Sequence, residues 1–528
     1  MNFSIFTLIS IYLIASNFAF DAETERSIDN FVENVFMRNN EIPGVGLSVV
    51  RNGTVLISKG YGMRNITAGL TVDQNTLFAI GSTTKSFTAV LVVKTLNELY
   101  PERGAAVLDT PIAKLIPPTV NFTLSDRYRA EQTTFRDILA HRTCLLNGGI
   151  DLLFGTMTAE EYALYIPQVC EFRNGYHYNN NMVALAGELI AAIAGTTLRN
   201  MTLSLARDIG MENTTCIDFD GVYESLPDMS QPYILRNGTL VEFDIFQLRR
   251  IHVGLGTGGI LSTANDMAKY MEFHLSQGRV GNRQIVPTNV MNWLYTISNG
   301  FDFRGSRRDD ADSSVYGDLG TAQGFFSALY DGWSVIHHGG YWPPYVCDMC
   351  LFPATKIGIF ICSNGPGLLM NYPSHEITSV NIFELIRGTN RSLEEIESKN
   401  RKFDNHFIEE HLFDGHKANR VSTVLHYSRI RNKVELNALQ LYFSEWAHGR
   451  LQQVPGSNTN FSVHWDTTIM DYFYSGLRAP LNFWIDFGIV DSVLLRVDFN
   501  NLEFQFVKNA TLDTFPAIPW SPSSCGPE

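Results

Sequence analysis

Cysteine is scarce in this chain: seven stand in 528 residues, at positions 144, 170, 216, 347, 350, 362 and 525. That is too few for a scaffold in which disulfides replace a hydrophobic core, and an odd count leaves one thiol outside any intramolecular pairing. Basic residues are in deficit as well, with Lys+Arg 40 against Asp+Glu 54 and a net charge of −14. Such a balance repels phosphate backbones and removes nucleic acid from the expected partners. Glycine and proline, 41 and 20, stay at ordinary usage, and no repeat or low-complexity tract interrupts the chain, which excludes collagen, coiled coil and wholesale disorder. Past the N-terminus no run reaches the roughly 20 apolar residues of a spanning helix, so no transmembrane segment is expected once a leader is removed. Cys347-Asp-Met-Cys350 has no second Cys or His pair at finger spacing. His411 and His416, with Glu409, Glu410 and Asp414, read as a solvated polar segment, so no metal and no cofactor are expected.

What is present is an ordinary globular balance, 45% hydrophobic and 18% charged. At roughly 150 residues per domain the length allows two or three domains. Residues 5 to 15, Ile-Phe-Thr-Leu-Ile-Ser-Ile-Tyr-Leu-Ile-Ala, form an apolar run of leader length, followed by small residues and the acidic Asp21, Glu23 and Glu25. Residues 1–20 are therefore expected to be a secretory signal peptide. Asn-x-Ser/Thr sequons at Asn52, Asn65, Asn121, Asn200, Asn213, Asn237, Asn390, Asn460 and Asn509 fit a secreted glycoprotein, in a compartment where disulfides persist.

The segment Val45 to Ser58 splits into two β-rich runs at Asn52-Gly53, a hairpin dipeptide. Helical spacing of apolar residues covers Ser82 to Leu99 and Met182 to Ala194. Two late strands, Tyr345 to Phe352 and Ile357 to Cys362, flank a turn at Pro353 to Lys356, and a bridge between Cys350 and Cys362 would cross it. Strands at both ends with helices between them predict one α/β unit whose termini share a sheet. Residues 389–404 have the composition of a linker. Beyond it Phe461 to Trp465, Leu481 to Phe487, Ser492 to Phe499 and Leu502 to Val507 read as strands of a small all-β domain over residues 405–528.

Ser82-Thr83-Thr84-Lys85 lies at the opening of the first long helix, which puts Lys85 on the same face as Ser82. A nucleophilic serine needs a neighbour to accept its proton, and a desolvated lysine can do so. Alone the pattern is weak, since Ser-x-x-Lys is expected by chance about twice in a chain of this length. Two further elements follow in order: Tyr178-Asn179-Asn180 before the second helix, and His338-Gly339-Gly340 before the last strand pair. With Ile42-Pro43-Gly44-Val45, Leu108-Asp109-Thr110-Pro111, Asp137 to Arg142, Gly258 to Thr263 and Ser363-Asn364, the chain resembles the superfamily of serine β-lactamases, penicillin-binding proteins and related esterases and peptidases, its class C-like branch in particular.

The resemblance implies an α+β fold, an antiparallel sheet flanked by helices plus an all-helical region, over residues 21–388. Gln452 to Lys508 looks like the lipocalin-like β domain found behind some members. It further implies Ser82 as acylated nucleophile, Lys85 as its proton partner and Tyr178 as general base, with the proton undivided between the last two. Asn180 would bind the substrate amide or ester, and the backbone N–H groups of Ser82 and Tyr341 would hold the oxyanion. Gly339 and Gly340 would let substrate approach the strand edge, with His338 where relatives carry a lysine that binds a substrate carboxylate. Histidine there points away from carboxylates and towards esters or peptides. Asn179 and Cys144 replace a usual serine and glycine, and the family's geometry brings Cys144 near Cys170, which suggests a disulfide. The expected function is a secreted hydrolase of small ester or amide (peptide) substrates. A non-catalytic secreted binding protein and an acyltransferase are the alternatives.

Overall fold

The computed structural model describes residues 20–145, 163–301, 316–366 and 372–389, apart from positions 121, 165, 167, 218–219, 237, 246–247, 249–253 and 343, together with the strands between 439 and 507. The expected leader, most of the 389–404 linker and the His411/His416 segment lie outside the described residues. Two compact units are present: Met1–Asp414 with Ser475–Leu477, and Gly415–Tyr474 with Arg478–Glu528.

The larger unit is built on a nine-stranded sheet. Its strands are β1 (Gly44–Arg51), β2 (Thr54–Asn65), β3 (Leu70–Thr71), β4 (Asn299–Gly300), β5 (Tyr316–Thr321), β6 (Phe326–Tyr330), β7 (Trp333–Trp342), β8 (Tyr345–Phe352) and β9 (Ile357–Ser363). The order is β4-β5-β6-β7-β8-β9-β1-β2-β3, and every pairing is antiparallel. β1 lies against β9, from Val45 opposite Ser363 to Arg51 opposite Ile357, so the two ends of the unit share the sheet as the sequence predicts. The β1–β2 turn is the predicted dipeptide, with Asn52 at φ 48° and Gly53 at φ 81°. Two central residues at positive φ match the twist of a hairpin, and asparagine and glycine tolerate that backbone best.

β8 and β9 are buried along their whole length, which is why they read as continuous apolar runs rather than alternating ones. One face packs on α1 (Ala22–Phe31) and α6 (Tyr372–Arg387) through Phe31, Val45, Ile359 and Phe383. The other face packs on α5 (Ala264–Leu275), and the larger core on that side also takes in α2 (Thr84–Leu99) and α4 (Asn180–Ile193), which pack on each other. Twelve of the sixteen residues of α2 are buried, as expected of a helix apolar on nearly all sides. A short helix, α3 (Phe135–Leu139), starts on a capping box in which Thr134 and Asp137 bond each other's backbone N–H. No single described helix is long and apolar enough to cross a membrane.

The cysteine pairing corrects one expectation. Cys362 bonds Cys347 and not Cys350, which stays buried as a free thiol. Register decides this, because Cys347 sits directly opposite Cys362 on β8 and β9 whereas Cys350 faces Ile359. The second disulfide is Cys144–Cys170, the pair suggested by the family's geometry.

The smaller unit carries a six-stranded antiparallel sheet in which each strand pairs with the next: Leu439–Phe443, Ala447–Gln453, Asn460–Trp465, Phe483–Asp486, Ser492–Val497 and Leu502–Val507. Four of these coincide with strands read from the sequence.

Candidate active site

Ser82 stands in a tight 3-10 turn, Gly81–Thr83, that runs directly into α2. Lys85 follows one turn later, fully buried, with its Nζ 2.8 Å from Ser82 Oγ and donating to the Thr257 carbonyl at 3.0 Å. Tyr178 reaches the same serine from a segment 96 residues away, its hydroxyl donating to Ser82 Oγ at 2.9 Å. The lysine Nζ also lies 4.9 Å from the centre of the Tyr178 ring. Burial strips water from both groups. It drives the lysine well below its usual basicity and pushes the Tyr178 phenol well above its usual range. Desolvation therefore favours the neutral form of both the amine and the phenol. A neutral amine that donates to Thr257 keeps its lone pair available, and Ser82 Oγ is the hydroxyl that faces it.

Tyr178 lies outside any helix or strand, just before α4, and several tethers hold it. Asn179 caps α4 by accepting from the Met182 N–H at 2.9 Å, while its own amide donates to the Leu145 carbonyl at 3.0 Å. These two bonds account for asparagine in place of the usual serine. The Asn179 N–H donates to His141 Nδ1 at 3.1 Å, the His177 N–H donates to the His141 carbonyl at 2.8 Å, and the His141 ring lies 4.4 Å from that of Tyr178. Upstream, Arg142 and Arg173 both grip the buried Asp137, and Arg129 donates to the carbonyls of Cys144 and Cys170, the disulfide pair.

Strand β7 closes the other side. Gly340 faces the Ser82 turn so closely that a Cβ there would lie 1.9 Å from the Ile80 carbonyl oxygen, and a Cβ on Gly81, at φ 51°, would lie 2.6 Å from the Tyr341 nitrogen. These two glycines bring the Tyr341 backbone N–H alongside the residue that precedes Ser82. His338 is on this same face, its carbonyl accepting from Thr83 Oγ1 at 3.2 Å. Its Nδ1 lies 2.7 Å from the Gly339 carbonyl, and since a carbonyl only accepts, Nδ1 carries the proton and Nε2 is a bare acceptor. Nε2 is buried and has no hydrogen-bond partner among the described residues. Burial first, then the neighbouring Lys85, lowers the imidazole to about 3, so the position holds no cation at physiological pH. His337, its neighbour on β7, points to the opposite face and pairs with Asp318 at 2.8 Å.

Ser82, Lys85, Tyr178, His338, Gly340 and Tyr341 thus converge, and Gly339 lies between two of them. Asn180 joins through Thr257, whose Oγ1 donates to Asn180 Oδ1 at 3.0 Å. Thr257 and His141 are contacts the residue patterns do not single out. Thr257 is hidden inside the glycine-rich stretch 254–259, and His141 lies within a stretch that marks the family without assigning it a task.

A sheet closed by both ends of its unit, with Ser-x-x-Lys opening a buried helix and a tyrosine and a glycine-rich strand converging on the serine, defines the fold class of the serine β-lactamases and penicillin-binding proteins. The chain belongs to the Beta-lactamase family, whose profile matches residues 27–378. Among curated proteins it is similar to "Unguisins hydrolase ungD" of Aspergillus violaceofuscus, 24% identical over 375 residues, 61% of this chain and 58% of that protein. The chain thus spans under two thirds of that relative's length. Among solved structures it superposes on the octameric penicillin-binding protein homologue from Pyrococcus abyssi with TM-score 0.58 and 18% identity, over 92% of this chain and 96% of that one. D-amino acid amidase from Ochrobactrum anthropi SV3 gives TM-score 0.55 at 19% identity, over 70% of this chain and all of the other. At these identities the structural likeness speaks for the fold.

Proposed function

We propose that the chain is a secreted serine hydrolase that forms an acyl-enzyme on Ser82 and cleaves an ester or amide bond in a small molecule or peptide. The observation that carries this reading is the short contact between a wholly buried lysine, its basicity lowered by desolvation, and a serine hydroxyl, 2.8 Å apart. Lys85 takes the Ser82 proton as Oγ bonds to the substrate carbonyl carbon. The carbonyl electrons move onto oxygen, where the N–H groups of Ser82 and Tyr341 receive them. When the carbon–leaving group bond breaks, the proton returns through the Lys85–Tyr178 pair to the departing oxygen or nitrogen. Water then repeats the sequence on the acyl-serine. Tyr178 enters as a phenol in the resting state, which makes Lys85 the first base. A hydrolase relative and an amidase fold neighbour accord with this chemistry.

The neutral His338 bears on substrate class. It offers no charge to a carboxylate, so the reading favours substrates whose polar groups near this strand are uncharged. The N-terminal apolar run, two disulfides and the exposed sequon residues Asn52, Asn200 and Asn213 support export. We place the leader at 1–20, the hydrolase domain at 21–388, the linker at 389–404 and a lipocalin-like accessory domain at 405–528.

The test is reaction with a fluorophosphonate probe followed by peptide mass mapping. The adduct is expected on the peptide containing Ser82; a probe adduct elsewhere, or none, overturns the reading. Gly340→Ala supplies an independent check. Its Cβ would displace β7 from the Ser82 turn and carry the Tyr341 N–H away. Loss of one oxyanion donor costs about 10²- to 10³-fold, and the probe reaction rate is expected to fall by that amount.

A further inference from the structure

We infer that the Cys144–Cys170 disulfide is a thiol-exchange site, opened by a low-molecular-weight thiol, and that its opening loosens the arm that holds Tyr178 against Ser82. The exchange stands apart from the acyl-Ser82 reading; its effect on Tyr178 rests on that reading and adds a control to it. The two disulfides among the described residues are differently placed. Cys347–Cys362 joins two central strands and both of its residues are buried. Cys144–Cys170 joins two stretches outside helix and strand, with Cys144 buried and Cys170 partly exposed. A thiolate from solution therefore attacks Cys170 Sγ. Its sulfur bonds to Cys170 Sγ, the Cys144–Cys170 bond breaks, and the electron pair leaves on Cys144 Sγ. That sulfur takes a proton from solvent by way of the partly exposed His177, whose ring nitrogen lies within 4.8 Å of both cysteine sulfurs. A second thiolate then attacks the exogenous sulfur of the mixed disulfide, which leaves two protein thiols and one oxidised small thiol.

Two features favour the opened form. The Asn174 carbonyl oxygen lies 3.0 Å from Cys144 Sγ and 3.5 Å from Cys170 Sγ. A disulfide sulfur has no proton to give it, whereas a thiol does. The Arg129 guanidinium donates to the carbonyls of both cysteines, at 3.0 Å each, and so keeps a cation beside the departing thiolate. The closed bond in turn ties the His141–Cys144 stretch to the arm that runs from Cys170 to Tyr178. With it open, the arm is left to noncovalent contacts such as those of Arg173 with Asp137 and of the His177 N–H with the His141 carbonyl.

The experiment treats the native full chain with reduced glutathione, traps free thiols with iodoacetamide and maps the peptides. Glutathione is expected on Cys170 and the alkyl group on Cys144, with Cys347–Cys362 still closed. In parallel the rate of the fluorophosphonate reaction at Ser82 is expected to fall about 10- to 100-fold, the scale of a catalytic group misplaced by an ångström, and to recover when oxidised glutathione closes the bond again. The double variant Cys144→Ala, Cys170→Ala is expected to react at the lowered rate with or without glutathione. A Cys144–Cys170 bond that stays closed, a Cys347–Cys362 bond that opens as fast, or a first adduct on Cys144 overturns the exchange. An opened bond with an unchanged probe rate, or a loss that reoxidation does not reverse, overturns the effect on Tyr178. Untreated protein that takes no probe on Ser82 overturns the underlying reading instead, and the peptide map then still decides the exchange.

Discussion

Replacing Lys85 with methionine is expected to lower the rate of Ser82 acylation by about 10³- to 10⁴-fold while the protein stays folded. Methionine has nearly the length of lysine and suits a wholly buried position. The hydrogen-bond partners of the amine, Ser82 Oγ and the Thr257 carbonyl, are uncharged, so its removal strands no counter-charge; the loss is the amine beside Ser82 and the bond to the Thr257 carbonyl. Stopped-flow measurement of probe reaction, with a thermal midpoint alongside, checks both halves. A fall of less than tenfold would mean that another group takes the serine proton. The same physics sets the pH profile. The base works unprotonated, so the rate declines as pH drops through the lowered pKa, placing the acid limb well below the 10.5 of a solvated lysine. Tyr178→Phe is expected to act more weakly than Lys85→Met, since it removes a donor and not the base.

The second large effect is on stability. On the sheet face away from Ser82, the buried His337 holds Asp318 at 2.8 Å through Nε2 and lies 3.6 Å from Glu376 through Nδ1. His337 is on β7 and Asp318 on β5, so the pair spans the intervening strand β6 and braces the edge of the sheet beside the site. Asp348 lies near enough to add to this field. Its Oδ2 accepts from Ser379 Oγ at 2.6 Å and Cys350 Sγ at 3.2 Å. Burial works against protonation of the imidazole, yet the surrounding carboxylates, Asp318 first, prevail and raise it to about 9. Asp318→Leu takes the nearest anion from a buried cation, a change that costs about 3–5 kcal/mol. The sign of the pH dependence follows from the raised value. The folded pKa exceeds the unfolded value of about 6.5, so the stabilisation is complete below pH 6.5 and fades as pH climbs through about 9. Denaturant titrations at pH 6 and pH 10 should show a wide gap between wild type and Asp318→Leu at the lower pH and a narrow one at the higher. An equal gap at both would show that the pair carries no charge.

Much of the fold is legible in the residues because it rests on local rules. Asn52-Gly53 makes a hairpin on its own backbone preference, and the apolar runs of β8 and β9 declare strands buried on both faces. The Ser82–Lys85 adjacency is equally local, one helical turn. Cysteine pairing was less so. Cys350 lies nearer the β8–β9 turn, but strand register puts Cys347 opposite Cys362. Nor did composition mark Thr257. Its importance arises from Lys85 and Asn180, 172 and 77 residues away in the chain.

Residue type, motif order and the resemblance they carry determined which side chains are candidates for acyl chemistry and the order in which strands and helices present them. Tertiary structure decided their state: a lysine whose basicity burial lowers, a histidine proton turned to the Gly339 carbonyl, and an asparagine oxygen that accepts from a distant threonine. Protonation and hydrogen-bond direction answer to desolvation and to neighbours brought together by packing, and no window of sequence contains those.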